Sequence, residues 1–247
     1  MKILIIGNGI VGKNMNKVFK SAVISDPPAG INKPRKSTHF DIAFVCVPTP
    51  KNDDGSCDFS IVESVVKEYN PRIFCIRSTI PPGTTAMLQQ KYNKPCVFSP
   101  EYYGSTIHAN NPDYNFITLG GDNEYTQVVA DAFAQVYPGS FQINQVSAVD
   151  AEFSKYAENC FLAVKVSFFN EIKTMSDMAG GNYHAIRNSI LLDPRINPSH
   201  TWVFNKKPGW NSHCLNKDIP AFIQYAKSIG IETPVIESSL KYKRKDQ

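Results

Sequence analysis

A glycine-rich turn directly after an apolar run is the feature that most constrains which fold this sequence can adopt. Residues 2–12 read KILIIGNGIVG, in which Gly7, Gly9 and Gly12 have the spacing G-x-G-x-x-G. The first glycine allows a tight turn, the second lets the backbone approach a diphosphate, and the third lets a helix pack closely on the strand. The N-terminus of that helix attracts negative charge. The pattern therefore predicts a strand–turn–helix unit that binds a dinucleotide.

Short apolar runs alternate with helical or loop segments through residues 1–145. The runs are KILIIG, SAVISD, DIAFVCVP, RIFCIRST, PCVFSPE and NFITLGG. Strands that alternate with helices indicate βαβ units and a parallel sheet, and residues 125–137 predict a covering helix. We expect a Rossmann-like α/β fold, a doubly wound parallel sheet, followed by a long helix and a small helical domain.

The long helix is predicted from about residue 147 to 179. Its apolar stripe has helical spacing and consists of Phe153, Tyr156, Ala157, Cys160, Phe161, Val164 and Phe168. Ser147 and Asp150 can cap the start, and the glycines of AGGN at 179–182 can end the helix. A short helix near 184–192 and another at about 219–229 follow. We expect an NAD-binding domain at 1–146 and a helical domain for substrate and dimerisation at 147–247.

Asp26 indicates which dinucleotide is bound. It ends the second predicted strand, nineteen residues after Gly7. A carboxylate there can accept hydrogen bonds from a ribose diol and repels a 2′-phosphate. We therefore expect NAD rather than NADP, bound by the three glycines, by Ile10 and Val11 between them, and by Asp26. The alternative is a glycine turn in an α/β protein that binds no nucleotide.

Three further polar residues follow predicted strands. Thr49 lies in VPTP at 47–50, Thr79 in STIPPGTT at 78–85, and Glu101 in SPEYYG at 99–104. Ligands of open parallel sheets bind beyond the carboxyl ends of the strands, so the two threonines are expected to face the cofactor. Either threonine could instead serve turn formation. A carboxylate at this edge could act on water or on a substrate hydroxyl.

The six cysteines are scattered, with no CxxC pair and no metal-like spacing, which predicts free thiols and no metal site. Cys214 differs from the others because Lys217 and Asp218 follow it closely in NSHCLNKD. It is either a nucleophile or a buried apolar residue. Lys155 and Asn159, four residues apart, share one helix face, which is either functional or simply solvated.

Charge and hydropathy exclude other classes of protein. The formal net charge of +4 includes the terminal KYKRKDQ, which we interpret as a solvated end because no nucleic-acid-binding motif accompanies it. No apolar run reaches the roughly 18–20 residues of a membrane span, and no signal peptide precedes the first strand. We expect a cytoplasmic protein without nucleic-acid or membrane partners.

As a set, these stretches resemble the UDP-glucose/GDP-mannose dehydrogenase family of nucleotide-sugar dehydrogenases, and UDP-glucose 6-dehydrogenases most closely. The matching stretches are KILIIGNGIVG, VCVPTP, STIPPGTT, SPEYYG, AEFSKYAENCFLAVKVSFFNEI, DPRIN and CLNKD. They occur in the order typical of the family, over residues 1 to about 225. The resemblance implies an NAD-dependent oxidoreductase that acts on a nucleotide sugar, UDP-glucose before others.

The resemblance also implies a mechanism. A primary alcohol, C6 of the sugar, is oxidised to a carboxylate in two NAD-dependent steps. By motif match, Cys214 captures the intermediate aldehyde as a thiohemiacetal, a second hydride transfer yields a thioester, and water hydrolyses it. Lys155 and Asn159 would hold the oxyanion. Asp218 would place or deprotonate water.

Further residues have implied roles in binding. Thr79 and Glu101 would bind the attacking water, and Tyr102 and Lys217 would contact the substrate. Arg195 of DPRIN would reach the nucleotide sugar, in this family often across a dimer interface. We expect a homodimer built on the stripe of the long helix together with Phe169. The alternative is that residues 181–247 fold back and cover the stripe within one chain.

Departures from the family pattern leave two other functions open. Asn211 and Ser212 stand where two glycines usually precede the cysteine, and EYYGST lacks the usual Arg-Glu. The segment between Asp26 and Asp41 is short. The sequence also ends soon after the last predicted helix, so we interpret the chain as a short form without the family's C-terminal domain. The alternatives are an NAD-binding assembly module with little turnover and a simple two-electron dehydrogenase.

Overall fold

The computed structural model of the chain describes residues 1–31, 33–34, 38–102, 115–137, 139 and 141–244. The described residues divide into two units. The first unit lies within Met1–Tyr102 and Asp113–Lys155, and the second lies within Tyr156–Gln247. The chain passes from one to the other inside its long helix.

Within the described residues, the first unit contains a seven-stranded sheet of order β2-β1-β3-β4-β5-β6-β7. The strands are β1 Ile3–Ile6, β2 Val23–Ser25, β3 Ile42–Val45, β4 Ile73–Ile76, β5 Cys96–Phe98, β6 Phe116–Gly120 and β7 Gln142–Val146. Neighbouring strands are parallel except β5 and β6. The predicted Rossmann-like class is confirmed, with the correction that β6 and β7 run opposite to the other five strands.

The helices flank and follow the sheet. They are α1 Ile10–Val18, α2 Ser60–Glu68, α3 Thr84–Tyr92, α4 Asn123–Val136, α5 Ala148–Met178, α6 Tyr183–Ile190, α7 His213–Ser228 and α8 Pro234–Ser239. The predicted α4, α5 and α6 are confirmed. The predicted start of α7 near residue 219 is wrong, because the helix begins six residues earlier. No helix in the described part of the chain is long and apolar enough to cross a membrane.

The central strands are buried on both faces, which explains their uninterrupted apolar sequences. Alternate side chains enter two cores, with Ile5 and Phe44 on one side and Leu4 and Phe74 on the other. The first core includes residues of α1 and α4, and the second includes residues of α2, α3 and the start of α5. Helices therefore cover both faces, as a doubly wound sheet requires.

The edge strand β7 was not predicted. Its sequence QINQV is mostly polar, and its residues are exposed or half-buried. An edge strand with little buried surface lacks the apolar run that indicates a strand, but it still completes a parallel ladder with β6. This strand is defined by its backbone pairing with β6, which depends on the tertiary structure and not on the local sequence.

β1 lies between β2 and β3. The connection after β1 therefore leads to the neighbouring strand on one side, and the connection after β2 crosses back to the strand on the other side. Ligands of open α/β sheets bind in the crevice at such a reversal. Between β2 and β3, the described residues contain only a 3-10 turn at Pro27–Ala29. This short connection agrees with the trimmed segment seen in the sequence.

The second unit buries only part of the predicted stripe of α5. Tyr156 and Cys160 are 1% and 2% exposed, and Cys160 packs against α7. Phe161 and Phe168 are 62% and 52% exposed. Residues after 181 thus cover one edge of the stripe and leave the other uncovered. The expectation that Phe169 lies on the uncovered surface is wrong, since its side chain is 3% exposed.

Glu152 on α5 caps the N-terminus of α3. Its buried carboxylate accepts hydrogen bonds from Gly83 N at 2.6 Å, Thr85 N at 2.8 Å and Thr85 Oγ1 at 2.6 Å. Burial raises the pKa of Glu152, and these bonds act against that rise. The first N–H groups of a helix lack intrahelical partners and carry partial positive charge, so the carboxylate satisfies them and fastens α5 to α3.

We expect Glu152→Gln to destabilise the fold. An amide must present NH2 to at least one of the donors that the carboxylate accepts, which leaves a buried N–H unsatisfied and lowers the free energy of unfolding by roughly 1–3 kcal/mol. Urea denaturation near neutral pH measures the change. Glu232→Gln, at an exposed position, is the matched control. Equal midpoints for the two variants would contradict the role of Glu152.

Candidate active site

The glycine turn after β1 has the geometry of a diphosphate cradle. Gly7 adopts φ +95°, and a Cβ there would lie 2.4 Å from the Cys46 carbonyl oxygen. A Cβ on Gly12 would lie 1.9 Å from the Gly7 carbonyl oxygen, whereas a Cβ on Gly9 would meet no atom within 4 Å. Packing therefore demands the first and third glycines. The second borders open space at the N-terminus of α1, where an anion is favoured.

Asp26 supports this turn from the end of β2. Its Oδ2 accepts a hydrogen bond from Asn8 N at 2.7 Å, and its Oδ1 accepts one from Ala29 N at 3.3 Å. A carboxylate has about four acceptor positions, so these two bonds leave capacity for a ribose diol. The sequence pattern indicated only the cofactor role, and the structure adds a bond to the middle of the glycine turn.

The other predicted cofactor residues differ in exposure. Ile10 is 66% exposed at the start of α1, and Val11 packs against the core beneath the turn. Thr49 is buried, and Thr79 is half-buried. The Thr79 carbonyl accepts a weak hydrogen bond from Cys57 Sγ at 3.7 Å, which links the two loops that follow β3 and β4.

Glu101 is held by an arginine that the sequence pattern did not single out. Arg77, one residue beyond β4, donates from Nη2 to Glu101 Oε2 at 2.6 Å and from Nη1 to Ser99 Oγ at 2.8 Å. Both charged side chains are over 90% buried. Burial acts to lower the pKa of Arg77, but opposing interactions, of which the Glu101 carboxylate makes the largest, raise that pKa above its ordinary value. An arginine that ends a buried strand needs such a partner.

Lys155 and Tyr102 also lie in the first unit. Lys155 Nζ is 5.3 Å from the centroid of the Tyr102 ring, within the range of a cation–π contact. Lys155 is 7% exposed, so the interpretation of its helix face as solvated is wrong. A buried lysine is costly unless its charge is compensated, and the Tyr102 ring supplies part of that compensation.

In the second unit, Asn159 and Asp218 form a buried pair. Asn159 Nδ2 donates to Asp218 Oδ2 at 2.7 Å, and Lys217 Nζ donates to Asp218 Oδ1 at 2.6 Å. Asp218 is 1% exposed and Asn159 is 5% exposed. The carboxylate is therefore clamped by one neutral and one charged donor.

Cys214 lies in the first turn of α7, not in a loop. Ser212 is the N-cap, and its Oγ accepts a hydrogen bond from Leu215 N at 3.0 Å. Cys214 is half-buried. Because Lys217 and Asp218 follow at i+3 and i+4 of the same helix, they share a face with the thiol. The serine that replaces a usual family glycine therefore has a structural role.

Arg195 occupies an exposed position. Its side chain is 86% exposed and bonds Asp193, from Nη2 to Oδ2 at 2.5 Å and from Nε to Oδ1 at 2.9 Å. This bidentate pairing raises the pKa of Arg195 and lowers that of Asp193. No hydrogen bond among the described residues joins Arg195 to Cys214, Lys217 or Asp218.

Two family models match the chain. Residues 28–132 match the NAD binding domain of the UDP-glucose/GDP-mannose dehydrogenase family, and residues 149–244 match its central domain. The chain belongs to this family. Its cofactor is NAD, as the matched domain and the glycine turn both indicate. The domain match begins after the glycine turn, so the two observations concern different residues.

Relatives in other organisms agree with this membership. An uncharacterized protein of Methanocaldococcus jannaschii, MJ1054, is 30% identical over 87% of this chain and 25% of its own length. The UDP-glucose 6-dehydrogenase TuaD of Bacillus subtilis is 26% identical over 84% of this chain and 47% of its own. The chain thus spans about half the length of TuaD.

Two solved structures share the fold. The UDP-glucose dehydrogenase of Pyrobaculum islandicum superposes with a TM-score of 0.81 at 23% identity, covering 98% of this chain and 67% of that one. The UDP-D-ManNAc dehydrogenase of Pyrococcus horikoshii has a TM-score of 0.77 at 20% identity, covering 98% and 68%. These similarities concern architecture, because the identities are low.

We expect selective alkylation of two cysteines. Burial raises the pKa of Cys75, Cys96 and Cys160 to about 12 and also raises that of Cys46, so these four thiols stay protonated and shielded. At about pH 8, iodoacetamide should modify the half-buried Cys57 and Cys214, because the thiolate is the reactive form. Peptide mass spectrometry reads the pattern, and urea-unfolded protein is the control. Prompt native labelling of Cys160 would contradict it.

Proposed function

We propose that this family member oxidises the C6 alcohol of a nucleotide sugar to the uronic acid, with UDP-glucose as the first substrate to test. The observation that carries the proposal is the first half of α7, where Cys214 shares a helix face with Lys217 and with Asp218, whose carboxylate Asn159 clamps. The names of TuaD and of the Pyrobaculum structure favour UDP-glucose.

The reaction balances as two oxidations and one hydrolysis. The alcohol loses a hydride and a proton to give the aldehyde, and Cys214 sulfur adds to its carbonyl carbon to give a thiohemiacetal. Loss of a second hydride and a proton gives a thioester, and water cleaves its C–S bond to release the carboxylate and the thiol. NAD held by the glycine turn and Asp26 would supply the hydride acceptor for both oxidations, so one sugar would consume two NAD and one water.

Charged and polar groups on α5 and α7 suit the thiol chemistry. A helix N-terminus favours negative charge, and Cys214 lies in the first turn of α7. Lys155 and Asn159 would stabilise the oxyanion of the thiohemiacetal and of the hydrolytic intermediate, as preorganised donors do in acyl transfer. Lys217 and Tyr102 would contact the sugar or its diphosphate.

Hydrolysis needs an oriented water. We assign this role to Asp218, Thr79 and Glu101. Arg77 holds one oxygen of Glu101, and the other accepts a hydrogen bond from Tyr102 N at 2.9 Å. A carboxylate fixed in this way is better suited to position water than to exchange protons during each turnover. Asp26 would bind the adenosine ribose of NAD and disfavour NADP.

We also propose a homodimer. Phe161, Phe168 and Met175 are spaced by seven residues on α5 and are 62%, 52% and 61% exposed, so they form one uncovered apolar face. Contiguous exposed apolar patches mark interaction sites, and a two-fold contact is the most common solution for soluble oligomers. An interface there would allow Arg195 of one subunit to serve the other, as the family resemblance implies.

A coupled assay tests the function. A panel of nucleotide sugars that includes UDP-glucose is offered to the protein with NAD. For the true substrate we expect two NADH per sugar consumed and the uronic acid as the product. Cys214→Ser should abolish acid formation while NAD binding persists, because a serine hydroxyl is far less ionised than a thiol. One NADH per sugar would indicate a two-electron dehydrogenase. No turnover with any sugar would indicate a binding module.

Light scattering at micromolar concentration tests the dimer. We expect twice the mass of one chain for the protein and a monomer for Phe168→Glu, since a buried unpaired charge opposes association. Ile61→Glu, on α2 at a site 40% exposed, is the matched control and should stay dimeric. A single-chain mass for the unmodified protein, unchanged by NAD and sugar, would end the proposal.

A further inference from the structure

Residues 239–244, which we call the C-terminal strap, pair with the loop that precedes α7. Trp210 N donates to the Tyr242 carbonyl at 3.1 Å, and Arg244 N donates to the Trp210 carbonyl at 2.9 Å. These bonds form a parallel bridge between Trp210 and Lys243. Both backbone polar groups of Trp210 are therefore satisfied by the strap.

Side chains reinforce this pairing. The Trp210 ring is fully buried, and its Nε1 donates to the Ser239 carbonyl at 3.0 Å. Asn211 Nδ2 donates to the Arg244 carbonyl at 3.3 Å. A buried indole N–H needs such an acceptor. The strap thus holds two consecutive residues of the loop by backbone and side chain together.

Gly209 shows how closely the strap approaches. It adopts φ +75°, and a Cβ at this position would lie 2.0 Å from the Tyr242 carbonyl oxygen. On its other side, Gly209 N donates to Asn170 Oδ1 on α5 at 2.9 Å. The loop is therefore held between α5 and the strap, and only glycine fits at residue 209.

The held loop continues directly into the helix that carries Cys214. Asn211 Oδ1 accepts a hydrogen bond from Asn216 Nδ2 at 2.6 Å, and Ser212 caps α7 through Leu215 N. Asn211 and Ser212 are the residues that replace the usual family glycines. Their side chains connect the strap to the first two turns of α7.

We propose that the C-terminal strap positions Cys214, with Trp210 as the main positioning residue. This inference rests on the proposed function of Cys214 as nucleophile. In this chain the loop is held by side-chain bonds to the strap and to α7, where the family pattern has two glycines. Displacing the strap should loosen the cap of α7 and change the environment of the thiol without touching the NAD turn.

Two glycine variants test the strap. Gly209→Ala drives a methyl group into the Tyr242 carbonyl. Gly230→Ala imposes the same backbone strain at φ +78° with no atom within 4 Å of the new Cβ. The readout is the pH profile of alkylation of the Cys214 peptide by iodoacetamide. Its midpoint reports stabilisation of the thiolate, whereas the rate on the high-pH plateau reports the access of the reagent to the sulfur.

We expect Gly209→Ala to raise the midpoint of the alkylation profile. It should also lower kcat at least about threefold, which is the effect of one lost hydrogen bond, and leave the KM for NAD unchanged. Gly230→Ala should leave both values as in the unmodified protein. If the two variants behave alike, the strap does not position the thiol. If Cys214→Ser still forms acid, the proposed function fails, while the alkylation midpoints still decide the role of the strap.

A second pair keeps the test decisive if Gly209→Ala does not fold. Both variants lose the bond from the Arg244 guanidinium to the Lys207 carbonyl, which is 3.4 Å in length. Only Arg244→Pro also removes the backbone N–H that donates to the Trp210 carbonyl, whereas Arg244→Ala retains it. A raised alkylation midpoint in Arg244→Pro alone supports the inference. Equal midpoints in both variants overturn it.

Discussion

The buried polar groups along α5 organise both units of the molecule. Polar residues at helical spacing lie on the buried side of this one helix, among them Glu152, Lys155, Asn159, Ser167 and Asn170. Because an unsatisfied buried polar group costs about 1–3 kcal/mol, each requires a partner. These partners are the N-terminus of α3, the Tyr102 ring, the Asp218 carboxylate, the Ser239 carbonyl and Gly209 N. A helix with an entirely apolar buried face would specify none of these contacts.

The same requirement accounts for the geometry of the proposed site. Asp218 is almost fully buried, yet Asn159 and Lys217 each occupy one of its oxygens. Arg77 and Glu101 meet in the same way at the ends of their strands. Breaking one partner of a buried charged pair leaves an uncompensated charge. Within each unit, these charged residues are therefore held by their need for each other, and their positions follow from burial more than from local backbone preference.

Several elements could be predicted from the sequence because their signals are local. β1, β3 and β4 are continuous apolar runs, α5 carries its own cap at Ser147, and the glycine spacing identifies the turn after β1. Where the signal is weak or absent, prediction failed. β7 is polar because it is an edge, and Arg77 is recognisable only through its partner. The sequence predicts too late a start for α7, since Pro220 lies inside the helix and the N-cap is Ser212, seven residues before the predicted start.

The sequence by itself determined the class of fold, the dinucleotide turn and the set of residues that could carry the chemistry. These follow from hydrophobic periodicity, glycine spacing and motif order, which depend on near neighbours in the chain. Only the tertiary structure decided which faces are buried. It showed that the polar face of α5 is inside, that Phe161 and Phe168 are outside, and that residues 239–244 hold the loop before Cys214. Burial and long-range hydrogen bonds depend on segments far apart in sequence, so no local pattern specifies them.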